Sequence, residues 1–293
     1  MVGTRTLSSS SALAAPVVLY SPGRSWRDIK DQVHLSRGTC LADSPEVEAI
    51  DSGVPHYVRD ARVPRPDWRI ATDDEASTFW SATPAQAHCT VALVRLLGPE
   101  LTRLFEKRDD IFSSADDGET LKHPLVKLLL DALSRKGVLA QQVFSARMGR
   151  DHPGLVTMTR AVDQDARIGL HFDRWDSLSV DELKLGSNRV SINLGPSDRY
   201  FLYLNRTASG MAELLDRTNI PCRRDVHAIG PAFMSTFPDY PIVKLRLRPG
   251  DAYIAPTENI LHDGSSAEVA GINHYLSLRG RFEFLQGRCS GVG

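Results

Sequence analysis

The chain has 293 residues, 42% of them hydrophobic and 24% charged, an ordinary composition for a folded protein with a sizeable core. Thirty-five Lys and Arg nearly cancel thirty-six Asp and Glu, so the chain lacks the basic balance of a nucleic-acid binder or an anionic-membrane binder. No apolar run reaches transmembrane length, and Cys40, Cys89, Cys222 and Cys289 include no CxxC pair, which predicts reduced thiols in a cytoplasmic protein.

The Ser- and Ala-rich start, residues 1–19, predicts a flexible tail rather than a secretory signal, because its apolar stretch is short, broken by Pro16, and flanked by Arg5 alone. From Tyr20 to Ser81 turn residues and charges are scattered around Trp26, Trp68 and Trp80. That stretch is too aromatic for a free linker and is expected to wrap the core, partly covering a binding site. Thr83-Pro84 reads as a cap and a first-turn proline, so Ala85 to Leu97 is expected as a helix that Gly98-Pro99 ends. A second helix is expected from Glu100 to Lys107. After Pro124, Leu125, Leu128, Leu129, Ala132 and Leu133 form one apolar stripe of a third, which stops at Arg135-Lys136-Gly137.

From Val138 the apolar period changes to two. Val143 to Met148 and Leu155 to Arg160 are expected to pair around Asp151-His152-Pro153-Gly154. In Arg189 to Leu194, the side chains of Val190, Ile192 and Leu194 face one way and those of Arg189, Ser191 and Asn193 the other. Tyr200 to Asn205 returns, and Met211 to Arg217 reads as a short helix. Val243, Leu245 and Leu247 alternate with Lys244, Arg246 and Arg248, for which a solvated face is expected. Pro249-Gly250-Asp251 then turns into Ala252 to Ala255. The last strand, Asn273 to Phe284, sets Tyr275, Ser277, Arg279 and Arg281 against Leu276, Leu278, Phe282 and Phe284.

Helices first and antiparallel strands afterwards predict a mainly β, α+β domain: a jelly roll buttressed by N-terminal helices. Residues 20–293 are expected as one domain, with cover and support helices in 20–137 and the jelly-roll core in 138–286. The polar strand faces suit a barrel mouth that holds a polar ligand.

Chemistry concentrates in Gly169-Leu170-His171-Phe172-Asp173. On a strand, residues i and i+2 project from one side, so His171 and Asp173 can grip one ion. An imidazole and a carboxylate are two parts of the facial triad of two histidines and one acid. Asp176 is off phase with His171 for that role. The third ligand must come from another strand, and His262 is best placed, expected at a strand tip before the glycine turn Asp263-Gly264-Ser265-Ser266. Such a site leaves room for a bidentate 2-oxo acid and dioxygen. The far carboxylate of a 2-oxo diacid needs a cation, and arginine matches it through a planar fork. Arg279 stands seventeen residues after His262, and Arg281 shares its expected face.

The ordered set His171-x-Asp173, Pro249-Gly250-Asp251 with its apolar strand, His262-Asp263-Gly264 and Arg279 resembles the iron(II)/2-oxoglutarate-dependent dioxygenase superfamily over Val138 to Phe284. The resemblance implies a double-stranded β-helix core, iron(II) on His171, Asp173 and His262, and 2-oxoglutarate tethered by Arg279. It further implies that decarboxylation of 2-oxoglutarate to succinate is coupled to oxidation of a substrate C–H bond by dioxygen. Hydroxylation, desaturation, epimerisation and ring closure all fit, since Asp173 occupies the position that halogenases of this kind leave small. The family often places Ser or Thr two residues after the arginine; here Arg281 stands there, and Ser277 lies two before. The expected substrate is a small polar molecule such as an amino acid or an intermediate of specialised metabolism. The same ligands also suit zinc with one open water, so a zinc hydrolase or cupin-type isomerase, or a binding jelly roll without chemistry, is the alternative.

Overall fold

The computed structural model describes residues 17–96, 98–106, 112, 121–161 and 163–285. Among these, thirteen strands form a six-stranded sheet, a five-stranded sheet and a small two-stranded one. The first has the order β1 (Val18–Tyr20), β6 (Thr90–Arg95), β11 (Asp251–Ala255), β8 (Asn188–Asn193), β13 (Asn273–Phe284), β7 (Val138–Asp151). The second has the order β12 (Ile260–Ser265), β9 (Arg199–Thr207), β10 (Ile242–Leu247), β2 (Val33–Ser36), β5 (Arg69–Ile70). The third pairs β3 (Thr39–Leu41) with β4 (Arg62–Pro64).

After β7 the chain passes back and forth between the two large sheets. The stretch through His171 bridges to β12 of the five-stranded sheet, β8 joins the six-stranded one, and β9 and β10 return. Then β11, β12 and β13 alternate between them. The sheets meet through Phe201, Tyr203, Val243 and Leu245 on one side and Val91, Leu93, Tyr253 and Ala255 on the other. Phe201 and Tyr253 stack with ring centroids 4.0 Å apart. This apolar filling occupies one end of the interface. Arg189, Ser191, Tyr275, Ser277 and Arg279 share the inward face elsewhere, since β8 and β13 pair Ser191 with Ser277 and Arg189 with Arg279.

Both outer faces are covered. Among the described residues, three short helices, α1 (Trp26–Ile29), α2 (Pro45–Glu48) and α3 (Asp73–Ala76), and two 3-10 turns precede β6. Helices α4 (Pro99–Glu106) and α5 (Pro124–Arg135) back the six-stranded sheet, where Leu125, Leu129 and Leu133 pack on Val190, Ile192, Leu276 and Leu278. Pro124 opens α5, His123 Nδ1 accepts from the Leu125 amide at 3.2 Å, and Gly137 closes it at positive φ. Helices α6 (Ala208–Arg217) and α7 (Val226–Thr236) cover the five-stranded sheet through Met211, Leu215, Ile229 and Phe233 against Leu202, Leu204 and Leu261. Thr207 and Asp225 cap these two through the Gly210 and Ala228 amides.

Two expected elements take other forms. Over its described part, 85–96, the expected helix is absent: Ala87–Cys89 makes one 3-10 turn, and Thr90–Arg95 is strand β6, buried from Thr90 to Val94, while Leu97 lies outside the described residues. The run Thr-Val-Ala-Leu-Val is apolar on both faces, which a strand lined on both sides requires. Leu155 to Arg160 is not a strand either, because its amides find side chains rather than a neighbouring backbone. Val156 donates to Asp51, Thr157 to Tyr57, and Met158 and Thr159 to Asp263. Residues 1–16 of the expected tail lie outside the described residues, as does Cys289, while Val17 and Leu19 are fully buried in the core. No described helix is long and apolar enough to cross a membrane.

Candidate metal centre

His171 lies on the irregular stretch that follows Arg167, and that stretch is pinned at several points. Arg167 is fully buried, grips Asp51 through both terminal nitrogens at 2.5 and 2.7 Å, and lies 3.9 Å from the Tyr57 ring centre. These groups border a cavity of about 540 Å³, further lined by Asp43, Glu48 and Asp60 and separate from the three candidate ligands. Gly169 adopts φ +73, and a Cβ there would stand 2.4 Å from the Arg62 carbonyl, so no other residue fits without backbone movement. The Leu170 amide then reaches Arg62, His171 exchanges two backbone hydrogen bonds with His262 at 2.9 and 3.1 Å, and the Asp173 amide donates to Thr257.

These hooks bring the three expected ligands together. Their donor atoms all lie within 4.8 Å of one another, with His171 Nε2 and His262 Nε2 each 3.8 Å from an Asp173 oxygen. His171 Nδ1 sits 2.9 Å from the Gly169 carbonyl and His262 Nδ1 3.2 Å from the Ile260 carbonyl, in each case two residues back along the chain. A carbonyl can only accept, so both rings carry their proton on Nδ1 and leave the Nε2 lone pair for a ligand. His262 Nε2 is buried and has no hydrogen-bond partner. A buried polar atom without a partner is costly, and a cation at the meeting point of the three donors removes that cost. The donor set therefore fits a divalent metal ion.

The electrostatics of His262 and Asp173 favour their ligating forms, whereas His171 is held above its ordinary value. Burial pushes the His262 imidazole down to about 3, which keeps it neutral and able to ligate. Burial also raises the Asp173 carboxyl, but Arg189, then His262 and His171, outweigh it and hold the group well below the usual carboxylate range. For the charged form of His171, burial is unfavourable, and Asp173 followed by Asp263 more than offsets it.

His262 is not at a strand tip. It sits within β12, which continues through Gly264 to Ser265, and the small glycine leaves space that the Met158 methyl fills. Arg279 is partly buried, donates to Ser187 Oγ at 3.1 Å and is paired with Asp176 between the rings of Phe144 and Trp175. Asp176, off phase for the metal, thus has its own cation. Arg281 is exposed and does not share the pocket. The backbone register shifts on either side of it. Lys244 departs from the expected solvated face: it is buried, 2.5 Å from Glu268 and beside the rings of Trp68 and Tyr200.

Sequence reasoning missed Arg189, whose Nη2 is 2.8 Å from Asp173 Oδ2, with Tyr253 and Tyr275 nearby. Its inward position was readable from the alternation with Ser191 and Asn193; its partner was not. Glu258 was missed as well. It is buried, accepts from the Trp175 amide at 2.8 Å, and is raised to about 7 chiefly by burial.

No family profile and no curated protein matches the chain. Several solved structures align with it in part, at low sequence identity. The Kdo hydroxylase KdoO, an α-ketoglutarate-dependent dioxygenase solved with cobalt(II), aligns at 15% identity over 66% of this chain and 80% of its own, with a TM-score of 0.38. The α-ketoglutarate-dependent carbocyclase SnoK of nogalamycin biosynthesis aligns at 14% identity over 69% and 84%, with a TM-score of 0.36. GlcNAc Inducible Gene 2 from Candida albicans aligns at 10% identity over 65% and 60%, with a TM-score of 0.41.

Proposed function

We propose that this chain is an iron(II)- and 2-oxoglutarate-dependent oxygenase that oxidises a C–H bond of a small polar molecule. The observation that carries the reading is the convergence of His171, Asp173 and His262 at the polar end of the inter-sheet space, with both Nε2 atoms turned inward. The alternating passage of β7 to β13 between the sheets supports a double-stranded β-helix, and residues 20–293 are read as one catalytic unit. When bound, iron(II) with 2-oxoglutarate and dioxygen supplies the oxidant for the C–H bond, and succinate and carbon dioxide leave.

The chain's own groups bind and orient. His171, Asp173 and His262 offer one face of ligands and leave the opposite face open. Arg189 holds the second Asp173 oxygen, which fixes the carboxylate's rotation. Arg279 is assigned to the far carboxylate of 2-oxoglutarate, which would take the place beside its guanidinium that Asp176 holds. The Trp175 segment, tied down by Glu258, stands beside Arg279 and is positioned to limit water entry.

The test is anaerobic loading with iron(II), then 2-oxoglutarate, air and a panel of amino acids and other polar metabolites, read by succinate release and substrate mass change. Turnover that vanishes in His171→Ala and Asp173→Ala, and a raised KM for 2-oxoglutarate in Arg279→Met, is expected. Turnover independent of iron, or unaffected by both ligand substitutions, overturns the reading.

A further inference from the structure

Asp263 follows a proposed metal ligand in sequence, yet no role has been assigned to it. It is almost wholly buried, and its two oxygens have unlike surroundings. Oδ1 is saturated: it accepts from the Gly264 amide at 2.7 Å, the Thr159 hydroxyl at 2.9 Å, and the Thr159 and Met158 amides at 3.1 and 3.2 Å. Oδ2 is buried and has no hydrogen-bond partner. Among the described residues, the basic group within ion-pair distance of it is His171, whose Nδ1 is 3.8 Å away.

Three donors from Met158 and Thr159 are ample to hold the 158–159 segment on β12, so scaffolding explains Oδ1 and leaves Oδ2 unexplained. A bare carboxylate oxygen in the interior is unfavourable unless positive charge develops near it. His171 is where that charge would develop, because a dication on Nε2 draws electron density through the ring and makes the Nδ1 proton more acidic. A negative charge on the Nδ1 side then stabilises the loaded ring.

We propose that Asp263 is a positioning residue of the metal centre, its unpaired oxygen facing the Nδ1 edge of His171 so as to strengthen that ring's hold on a divalent cation at Nε2. The inference rests on the reading of His171, Asp173 and His262 as metal ligands. Asp263 acts through His171 and touches neither the ion nor the substrate. The Nδ1 proton itself goes to the Gly169 carbonyl at 2.9 Å, and Asp263 Oδ2 faces the same nitrogen from 3.8 Å as a charge rather than a hydrogen-bond acceptor.

The experiment titrates cobalt(II) into the metal-free full-length protein, following heat and the visible bands of the bound ion. Unaltered protein, Asp263→Asn, Thr159→Val and His171→Ala are compared, with the thermal midpoint of each metal-free form. Asp263→Asn keeps an Oδ1 acceptor for the 158–159 amides, so its metal-free midpoint should not fall, while its cobalt(II) affinity should drop about 10- to 100-fold with shifted visible bands. Thr159→Val removes one donor from Oδ1, leaves Oδ2 in place, and should retain the affinity. Asp263→Asn binding as tightly as unaltered protein overturns the inference. So does a parallel loss of affinity and midpoint in both Asp263→Asn and Thr159→Val, which would make the carboxylate scaffold alone. If unaltered protein binds no cobalt(II), or His171→Ala binds it equally well, the metal reading itself falls and takes this inference with it.

Discussion

Replacing Asp51 by Ala strands Arg167 as a buried cation without a counter-charge. The guanidinium is fully buried, and its remaining partners are neutral: the Pro55 and Thr157 carbonyls at 2.7 and 3.2 Å and the Tyr57 hydroxyl at 3.0 Å. Removing one member of a buried pair costs about 3–5 kcal/mol, a large share of a total stability of about 5–15 kcal/mol. Urea unfolding followed by tryptophan fluorescence should show that loss, and the thermal midpoint should fall by roughly 10 °C at about 2–4 °C per kcal/mol. The double variant Asp51→Asn with Arg167→Met should recover much of it, since paired replacement by neutral groups leaves no orphan charge. Acid provides a second measure. Burial pushes the Asp51 carboxyl up, but Arg167 and the Val156 and Gly53 amides reverse this and hold it below its ordinary value. A lowered folded value means stability that is present above the unfolded value and lost as pH falls through the folded one, so the gap between unaltered protein and Asp51→Ala should narrow in acid. A loss under about 1 kcal/mol in the single variant, the range of a solvated ion pair, would refute the argument.

Chelation should destabilise loaded protein, because an ion at a hundred times its dissociation constant contributes about 2.7 kcal/mol; that difference should vanish in His262→Ala, checked by thermal melts with and without chelator. Gly169→Ala should cost more than about 1 kcal/mol in urea, because the new methyl meets the Arg62 carbonyl and φ is positive, and it should weaken cobalt(II) binding by moving the His171 acceptor. Glu258 is raised from 4.5 to about 7, first by burial. A raised folded value gives stability that is present below 4.5 and lost as pH climbs to about 7, with a slope of up to about 1.4 kcal/mol per pH unit. Glu258→Gln should flatten that slope in urea midpoints measured across the same range, and an unchanged slope would count against it.

The pairing of His171 with Asp173 was legible because a two-residue spacing needs only local extended backbone, and that is what the hydrogen bonds to His262 and Thr257 impose. His262 was found through its neighbours, although the strand around it was not, since glycine in a ladder looks like a turn in sequence. The inward faces of β8 and β13 were readable from alternation alone. What alternation could not reveal is which charge meets which: Arg189 with Asp173 and Arg279 with Asp176 are contacts between distant segments. Leu155 to Arg160 imitated a strand because backbone donors satisfied by side chains leave the same apolar pattern as donors satisfied by a ladder. Helix α7 escaped notice because Gly230-Pro231 reads as a breaker, yet Pro231 lies five residues after Val226 within a helix buried at Ile229 and Phe233.

The two helical coats lie on opposite outer surfaces, α4 and α5 on one and α6 and α7 on the other. The coats differ in their reach: Phe172 and Leu261, chain neighbours of the three clustered side chains, pack under α6 and α7, so a substitution there is one layer of side chains from the cluster, whereas the core under α4 and α5 includes none of these neighbours.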